Sequence, residues 1–323
     1  MKAMVFDKYG DPGVLHEMEL PTPTPGPDQV LLRVRAVGMN PVDWKLRAGM
    51  FKFFMPLKFP KILGFDVCGE VMELGSDVQD LAAGDLVHGM VGIQGQGACS
   101  THVCLAANTV VKKPDGMSTD EAAAIPLAGL TALQGLRNKA KLRSGERVLV
   151  IGASGGVGMF AVQIGKAMET DVTGVSSSRN VNFVRSLGAD RVIAYDEESY
   201  DDAGPFDVIY DAVGALSFFK ATKLLAKKGR FVCPVPGMGN LASQLMGPLT
   251  PLFFGGKRSY GVMVKPSADD VDYLDQLYAA GQLKVHIEST YPLSDLASVH
   301  ERSASGRVVG KLILQVSPPS DRS

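Results

Sequence analysis

Between residues 147 and 233 short apolar runs alternate with segments of helical spacing. Arg147-Val148-Leu149-Val150-Ile151 is a continuous apolar run, followed by a glycine turn and by Met159 to Met168, where apolar residues recur at helical intervals. The rhythm repeats: Val172 to Val175 as strand, Asn180 to Leu187 as helix, and Arg191 to Ala194 as strand. Phe206 to Tyr210 and Gly229 to Cys233 read as two more strands, with a helix from Phe218 to Leu225 between them. Uninterrupted apolar strands alternating with helices predict a parallel sheet covered on both faces, a doubly wound α/β domain.

The flanking regions read differently. Residues 1 to about 124 are rich in Pro and Gly, and Gln29 to Val37 has the partly alternating pattern of a half-buried strand, so this part is expected to be mostly β. Helical spacing begins at Asp120 and continues through Thr131 to Leu136, marking a change of architecture. Residues 234 to 258 break the rhythm with Pro, Gly and Met and read as a long loop over a binding cleft. The tail predicts a helix from Ala268 to Ala280, a second around Ser294 to Ser303, and a last strand, Lys311 to Val316, that returns to the first lobe. The expected domains are residues 1–124 with 268–323, mostly β, and 125–267, a Rossmann dinucleotide-binding domain.

Composition narrows the function. With 33 basic and 34 acidic residues the net charge is -1, so no broad field attracts nucleic acid, and the expected partner is a small molecule. Four scattered cysteines, Cys68, Cys99, Cys104 and Cys233, form no C-x-x-C pair and suit a reducing compartment. The start, Met1 to Phe6, runs into Asp7 and Lys8 without the apolar core of a signal peptide. No stretch reads as a membrane span, so no stable membrane insertion and a cytoplasmic location are expected.

The most specific local signal is Ile151-Gly152-Ala153-Ser154-Gly155-Gly156-Val157-Gly158, which follows an apolar strand and opens a helix. It fits G-x-G-x-x-G with Ala153, Gly155 and Gly158 in the three glycine places. Gly155 lets backbone approach a pyrophosphate, Gly158 lets helix pack on strand, and the helix N-terminus presents amides to phosphate. About 20 residues further on, where an NAD site carries Asp or Glu, stand Ser176-Ser177-Ser178-Arg179-Asn180. With Arg179 and serines available for a 2'-phosphate and no acid present, the expected cofactor is NADPH.

Several segments together resemble the medium-chain dehydrogenase/reductase superfamily, in its quinone-oxidoreductase and zeta-crystallin branch. They are Asn40-Pro41-Val42-Asp43, Leu63 to Val71, Ala83 to Val87, Ala128 to Ala132 and the glycine turn. Ser178 to Val181, Ser186 to Asp190 and Gly310-Lys311-Leu312-Ile313-Leu314 look most like the plant-envelope quinone-oxidoreductase homologues and alkenal reductases. The resemblance implies a GroES-like fold for the mostly β domain and a homodimer formed through the cofactor domain. Zinc enzymes of the superfamily use Cys where this chain has Asn40 and a His-Glu pair where it has Phe65-Asp66, and their cysteine-rich structural-zinc lobe is absent. No metal is therefore expected.

The resemblance also implies site residues. Asn40 and Asp43 would line the nicotinamide region, and Lys45, standing where the branch often has Tyr, is a candidate proton donor or hydrogen-bond donor to a developing enolate. Lys45 reads equally as a solvated surface lysine. Cofactor contacts would come from Thr131, Ala153, Ser154, Gly155, Gly156, Val157, Gly158, Ser176, Ser177, Arg179, Tyr195, Ala212 and Val213. Without a Lewis acid, an enone or quinone is an easier hydride acceptor than a simple carbonyl, because the charge delocalises onto oxygen. The expected function is zinc-independent, NADPH-dependent reduction of a quinone or an α,β-unsaturated carbonyl. The alternative is a non-catalytic NADPH-binding structural or regulatory protein. Acceptor selectivity is expected from Phe51 to Met55 and from the 236–258 loop, which also raises a weaker membrane-surface reading through Leu252-Phe253-Phe254.

Overall fold

The computed structural model describes residues 1–53, 55–92, 95–234, 238–246 and 249–316. The chain forms two compact units. The first comprises Met1–Leu127, Lys265–Gln276 and the chain from Val285 onward; the second comprises Ala128–Val264 and Leu277–Lys284.

Among the described residues the second unit carries a six-stranded parallel sheet. Its spatial order is Arg191–Ala194, Asp171–Ser176, Arg147–Ile151, Phe206–Asp211, Leu225–Cys233 and Arg258–Gly261. The order runs outward in both directions from Arg147–Ile151, which is the doubly wound topology expected from the apolar runs. Leu149, Ile151, Val175, Ile193, Ile209 and Phe231 supply the strand side of its core, and Phe218, Ala221 and Leu224 pack on them from the helix Phe218–Leu224. Ser217 caps that helix by accepting from the Lys220 amide.

Residues 234–258 are not one long loop. The described part contains the helices Met238–Leu245 and Thr250–Phe253, and the chain then enters the edge strand Arg258–Gly261. Buried polar contacts replace the missing apolar signal. Asn240 Oδ1 accepts from the Phe218 amide at 3.0 Å, and the Ser243 and Ser259 hydroxyls are 3.0 Å apart. Phe54, in the proposed selectivity segment, and residues 236–237 and 247–248 of the second one lie outside the described residues.

In the first unit, Gln29–Met39 is the spine of a seven-stranded sheet among the described residues. Asp66–Leu74 pairs along one edge, while His102–Ala106 and then Lys311–Gln315 pair along the other. With neighbours on both sides it is buried along most of its length, which is why its hydrophobic alternation was only partial. Lys311–Gln315 returns to this sheet as expected, antiparallel to Gln29–Met39. The tail holds one strand that its sequence did not announce: Ile287–Pro292, parallel to Lys311–Gln315 and largely half-buried. The helix expected from Asp120 spans Thr119–Ala124 and is capped by Ser118, whose hydroxyl accepts from the Glu121 amide at 3.2 Å.

Candidate functional site

The glycine turn and the segment after Asp211 leave the carboxyl ends of the two adjacent central strands, where the strand order reverses. This is where doubly wound sheets place ligands. The Ala212 amide donates to Ile151 O at 3.1 Å, so the two exits are tied together. The Gly152 and Ala153 amides both donate to Val175 O, anchoring the turn to the next strand.

The glycines in this turn have different causes. A Cβ on Gly158 would stand 2.0 Å from Gly152 O, so close packing of backbone on backbone excludes any side chain there. Gly155 has φ -81, open to any residue, and a Cβ there would meet no protein atom nearer than Gly152 O at 3.5 Å. Neither strain nor packing demands glycine at 155. Gly155 is the N-cap of the twelve-residue helix Gly156–Ala167, whose first amides lack partners within the helix. Ser154, Gly155, Gly156 and Val157 are half-buried, whereas Ala153 is buried.

The end of the second strand joins the turn through a hydrogen bond from Asn180 Nδ2 to Ser154 Oγ at 3.1 Å. Ser176 and Ser177 are buried, and Arg179 is exposed. One acidic residue near this strand end comes from farther along the chain. Parallel pairing sets Ser176 against Ala194, and two residues later Asp196 accepts from the Ser178 amide at 2.7 Å and its hydroxyl at 2.9 Å. These hydrogen bonds, with Arg179 nearby, hold the Asp196 carboxyl below its ordinary range. The segment after the strand Asp171–Ser176 thus meets a carboxylate supplied from the neighbouring strand, already engaged by Ser178. Tyr195 is 59% exposed, and its amide donates to Ser176 O. Val213 is exposed, and Thr131 is buried with its carbonyl accepting from the Tyr210 hydroxyl at 2.9 Å. The Asp211 carboxylate accepts amides from Val213, Gly214 and Leu216, which shapes the loop bearing Ala212 and Val213.

In the first unit Asn40, Asp43 and Lys45 lie on and just before one short helix. Asn40 precedes the helix Pro41–Arg47, and Asp43 Oδ2 accepts from the Asn40 amide at 2.9 Å while its Oδ1 accepts from the Gly64 amide at 2.9 Å. Asp43 is fully buried with both oxygens used inside the protein, and burial pushes its carboxyl up to about 7. Asn40 is 3% exposed, with Nδ2 donating to Asp66 Oδ2 at 2.9 Å and to Gly38 O at 3.2 Å. Lys45 is half-buried, its ammonium 5.6 Å from the Trp44 ring centre. Among these residues, Lys45 and Trp44 are partly accessible while Asn40 and Asp43 are buried.

Lys311 belongs to the closing segment Gly310-Lys311-Leu312-Ile313-Leu314. Its ammonium is 2.7 Å from Asn40 Oδ1 and 2.9 Å from Asp66 Oδ2, and Asp66 Oδ1 accepts the Leu127 amide at 2.6 Å. The position of a charged residue at the start of an apolar strand was the available signal. This arrangement bears on zinc, which the family of zinc dehydrogenases implies. Asn40 and Phe65 offer no thiolate or imidazole, and Asp66 is already paired with a buried cation. Burial raises the Cys68 thiol to about 12 and Cys99 well above its ordinary value, keeping both protonated. This donor set does not fit zinc, and among the described residues no group of three or more His, Cys, Asp or Glu is arranged to hold a metal.

Comparison with known proteins agrees with the geometry. Residues 26–115 match the alcohol dehydrogenase GroES-like domain family, and residues 187–314 match a family described as zinc-binding dehydrogenase. The chain is 35% identical over 326 residues to the chloroplast envelope quinone oxidoreductase homolog of Arabidopsis thaliana, covering 98% of each. It is 33% identical to the 2-methylene-furan-3-one reductase of Solanum lycopersicum, over 98% of this chain and 80% of that one. The quinone oxidoreductase from Coxiella burnetii superposes with a TM-score of 0.87 at 34% identity, over 98% of this chain and 99% of that one. The Escherichia coli quinone oxidoreductase complexed with NADPH does so with a TM-score of 0.83 at 26% identity, over 98% and 100%. The chain belongs to the medium-chain dehydrogenase/reductase superfamily of NAD(P)H-dependent oxidoreductases, alongside the quinone oxidoreductases and the chloroplast-envelope homologues.

Proposed function

We propose that the protein is an NADPH-dependent reductase of quinones or α,β-unsaturated carbonyl compounds, working without zinc. The observation that carries this reading is Gly155, a glycine at a helix N-terminus that neither backbone angle nor packing requires. A cofactor pyrophosphate accounts for it. The relatives that are quinone oxidoreductases or reduce a conjugated ketone support the acceptor class, and the relative crystallised with NADPH supports the cofactor.

In this reading the amides at Gly155–Gly158 and the Ser154 hydroxyl bind pyrophosphate, and Ser176, Ser177 and Arg179 bind the 2'-phosphate, with Tyr195 beside the adenosine. Thr131, Ala212 and Val213 orient the nicotinamide end. Bound NADPH supplies the hydride. Lys45 donates a hydrogen bond, then a proton, to the acceptor oxygen on which negative charge develops, and solvent reprotonates the lysine. Asn40 and Asp43 hold the turn that presents Lys45.

The test follows NADPH oxidation by absorbance against a panel of quinones, enals and enones, with NADH run in parallel. Turnover with NADPH well above NADH is the expected result. Saturable NADPH binding with no turnover of any acceptor overturns the reductase reading in favour of a binding protein, and equal rates with NADH overturn the role of Arg179.

A further inference from the structure

The amide of Asn40 sits between a buried cation and a buried carboxylate. Sheet register brings them together: Leu312 pairs with Met39, which sets Lys311 beside Asn40, and Asp66 opens the strand on the other side of the spine. Gly38 makes room, since a Cβ there would stand 2.1 Å from Ala123 O and 2.8 Å from Asp66 Oδ2. Lys311 and Asp66 are almost wholly buried, so each depends on the other and on Asn40 for the interactions lost with water.

An amide has one accepting and one donating end, and here each faces its complement. Asn40 Oδ1 accepts from the Lys311 ammonium, and Nδ2 donates to Asp66. Rotating the amide by half a turn would aim NH2 at an ammonium and a carbonyl at a carboxylate, so the ion pair fixes one orientation. From Asn40 the hold passes on: its backbone amide donates to Asp43, whose other oxygen is anchored at Gly64, and the turn continues into Trp44 and Lys45.

We infer that Lys311 is a positioning residue for the reduction proposed above, acting with Asp66 through Asn40 to fix the start of the helix Pro41–Arg47 and so the place where Lys45, further along it, meets the acceptor. The inference rests on that reading of function and assigns Lys311 no contact with acceptor or cofactor.

The test compares the wild type with Lys311→Arg, Asn40→Ala, the double variant Lys311→Met/Asp66→Asn, and that double variant combined with Asn40→Ala. The Lys311/Asp66 double variant removes both charges together, so neither is left buried alone. Thermal melting, NADPH affinity, and kcat and KM for the acceptor per bound NADPH are measured for each. The double variant is expected to bind NADPH like the wild type while kcat/KM for the acceptor falls about 100-fold, the scale of a roughly 1 Å misplacement. Lys311→Arg recovers most of that loss. Asn40→Ala alone gives the same loss, and adding it to the double variant costs little more, because the residues act in series.

A double variant with wild-type kcat/KM per bound NADPH overturns the inference, as do losses that simply add. If the double variant does not fold, Asn40→Ala decides alone: a wild-type rate overturns the inference. A wild type that turns over no acceptor removes the functional reading and the inference together, and is told apart because the unmutated enzyme is itself inactive.

Discussion

The glycine turn of the second unit and the Asn40–Asp66–Lys311 cluster of the first are built on opposite plans. In the turn, polar groups are half-buried at a helix N-terminus, with a glycine that neither backbone angle nor packing requires. In the cluster the polar groups face inward and bond to one another, with the Asn40 amide and the Asp66 carboxylate engaged at both ends. The first plan suits a ligand that arrives and leaves. The second suits a frame that must stay fixed while chemistry happens beside it.

The difference can be broken by substitution. The largest effect is expected at glycines set by packing. Gly158→Val and Gly38→Val force a side chain against backbone oxygen, so each should cost more than about 4 kcal/mol and leave little folded protein, measured by denaturant unfolding. Either variant melting within a few degrees of the wild type would contradict the packing argument. Next comes Asp66→Ala, which strands the Lys311 ammonium and should cost about 3–5 kcal/mol. A loss under about 1 kcal/mol would mean that the cluster behaves like a surface ion pair.

A smaller effect belongs to the open region. Arg179→Ala should weaken NADPH by roughly 10- to 100-fold, the range of about 1.5–3 kcal/mol for a hydrogen bond to a charged group, and leave NADH unchanged. Equal losses for both cofactors would show that Arg179 reads something other than the 2'-phosphate. The engaged Asp196 sharpens this test. Asp196→Asn should favour NADPH further by removing the neighbouring negative charge, and a loss of NADPH affinity would contradict that role.

The last effect, small in the unmodified protein because two buried groups oppose each other, is on the pH dependence of folding. Burial raises the Asp43 carboxyl from its ordinary 3.8 to about 7, so between those values the folded state holds more protons than the unfolded one. Stability from this group therefore falls as pH rises through that window, by at most about 1.4 kcal/mol per pH unit. His300 works the other way. Burial and then Arg47, whose Nε donates to His300 Nδ1 at 3.1 Å, lower its pKa from 6.5 to about 3, so its contribution is lost as pH falls from 6.5. From about pH 4 to 6.5 the two slopes oppose each other. Asp43→Asn should expose the acid-destabilising limb of His300, and an unchanged stability profile would contradict the assignment.

Much of the second unit was legible because its strands carry uninterrupted apolar runs and its glycine turn is contiguous in sequence. The strand Arg258–Gly261 and helix Met238–Leu245 were not, since they are secured partly by Asn240 and Ser243 with partners far along the chain. Ile287–Pro292 was missed because its residues are largely half-exposed and show no alternation. At the site, Gly155 could be read locally, whereas Asp196 and Lys311 reach their partners only through strand pairing. Asn40 and Asp43 stand out by resemblance, and the structure adds the internal hydrogen bonds that tie both into the protein.

The most direct test of the account is a titration of NADPH into the wild type and Gly155→Ala, with thermal melting of both. The account predicts saturable binding by the wild type, and in Gly155→Ala a near-unchanged melting temperature with NADPH affinity lowered at least about tenfold by the methyl group in the path of the phosphates. Equal affinity in the two proteins, or no binding by the wild type, would contradict the claim that this turn is a cofactor cradle.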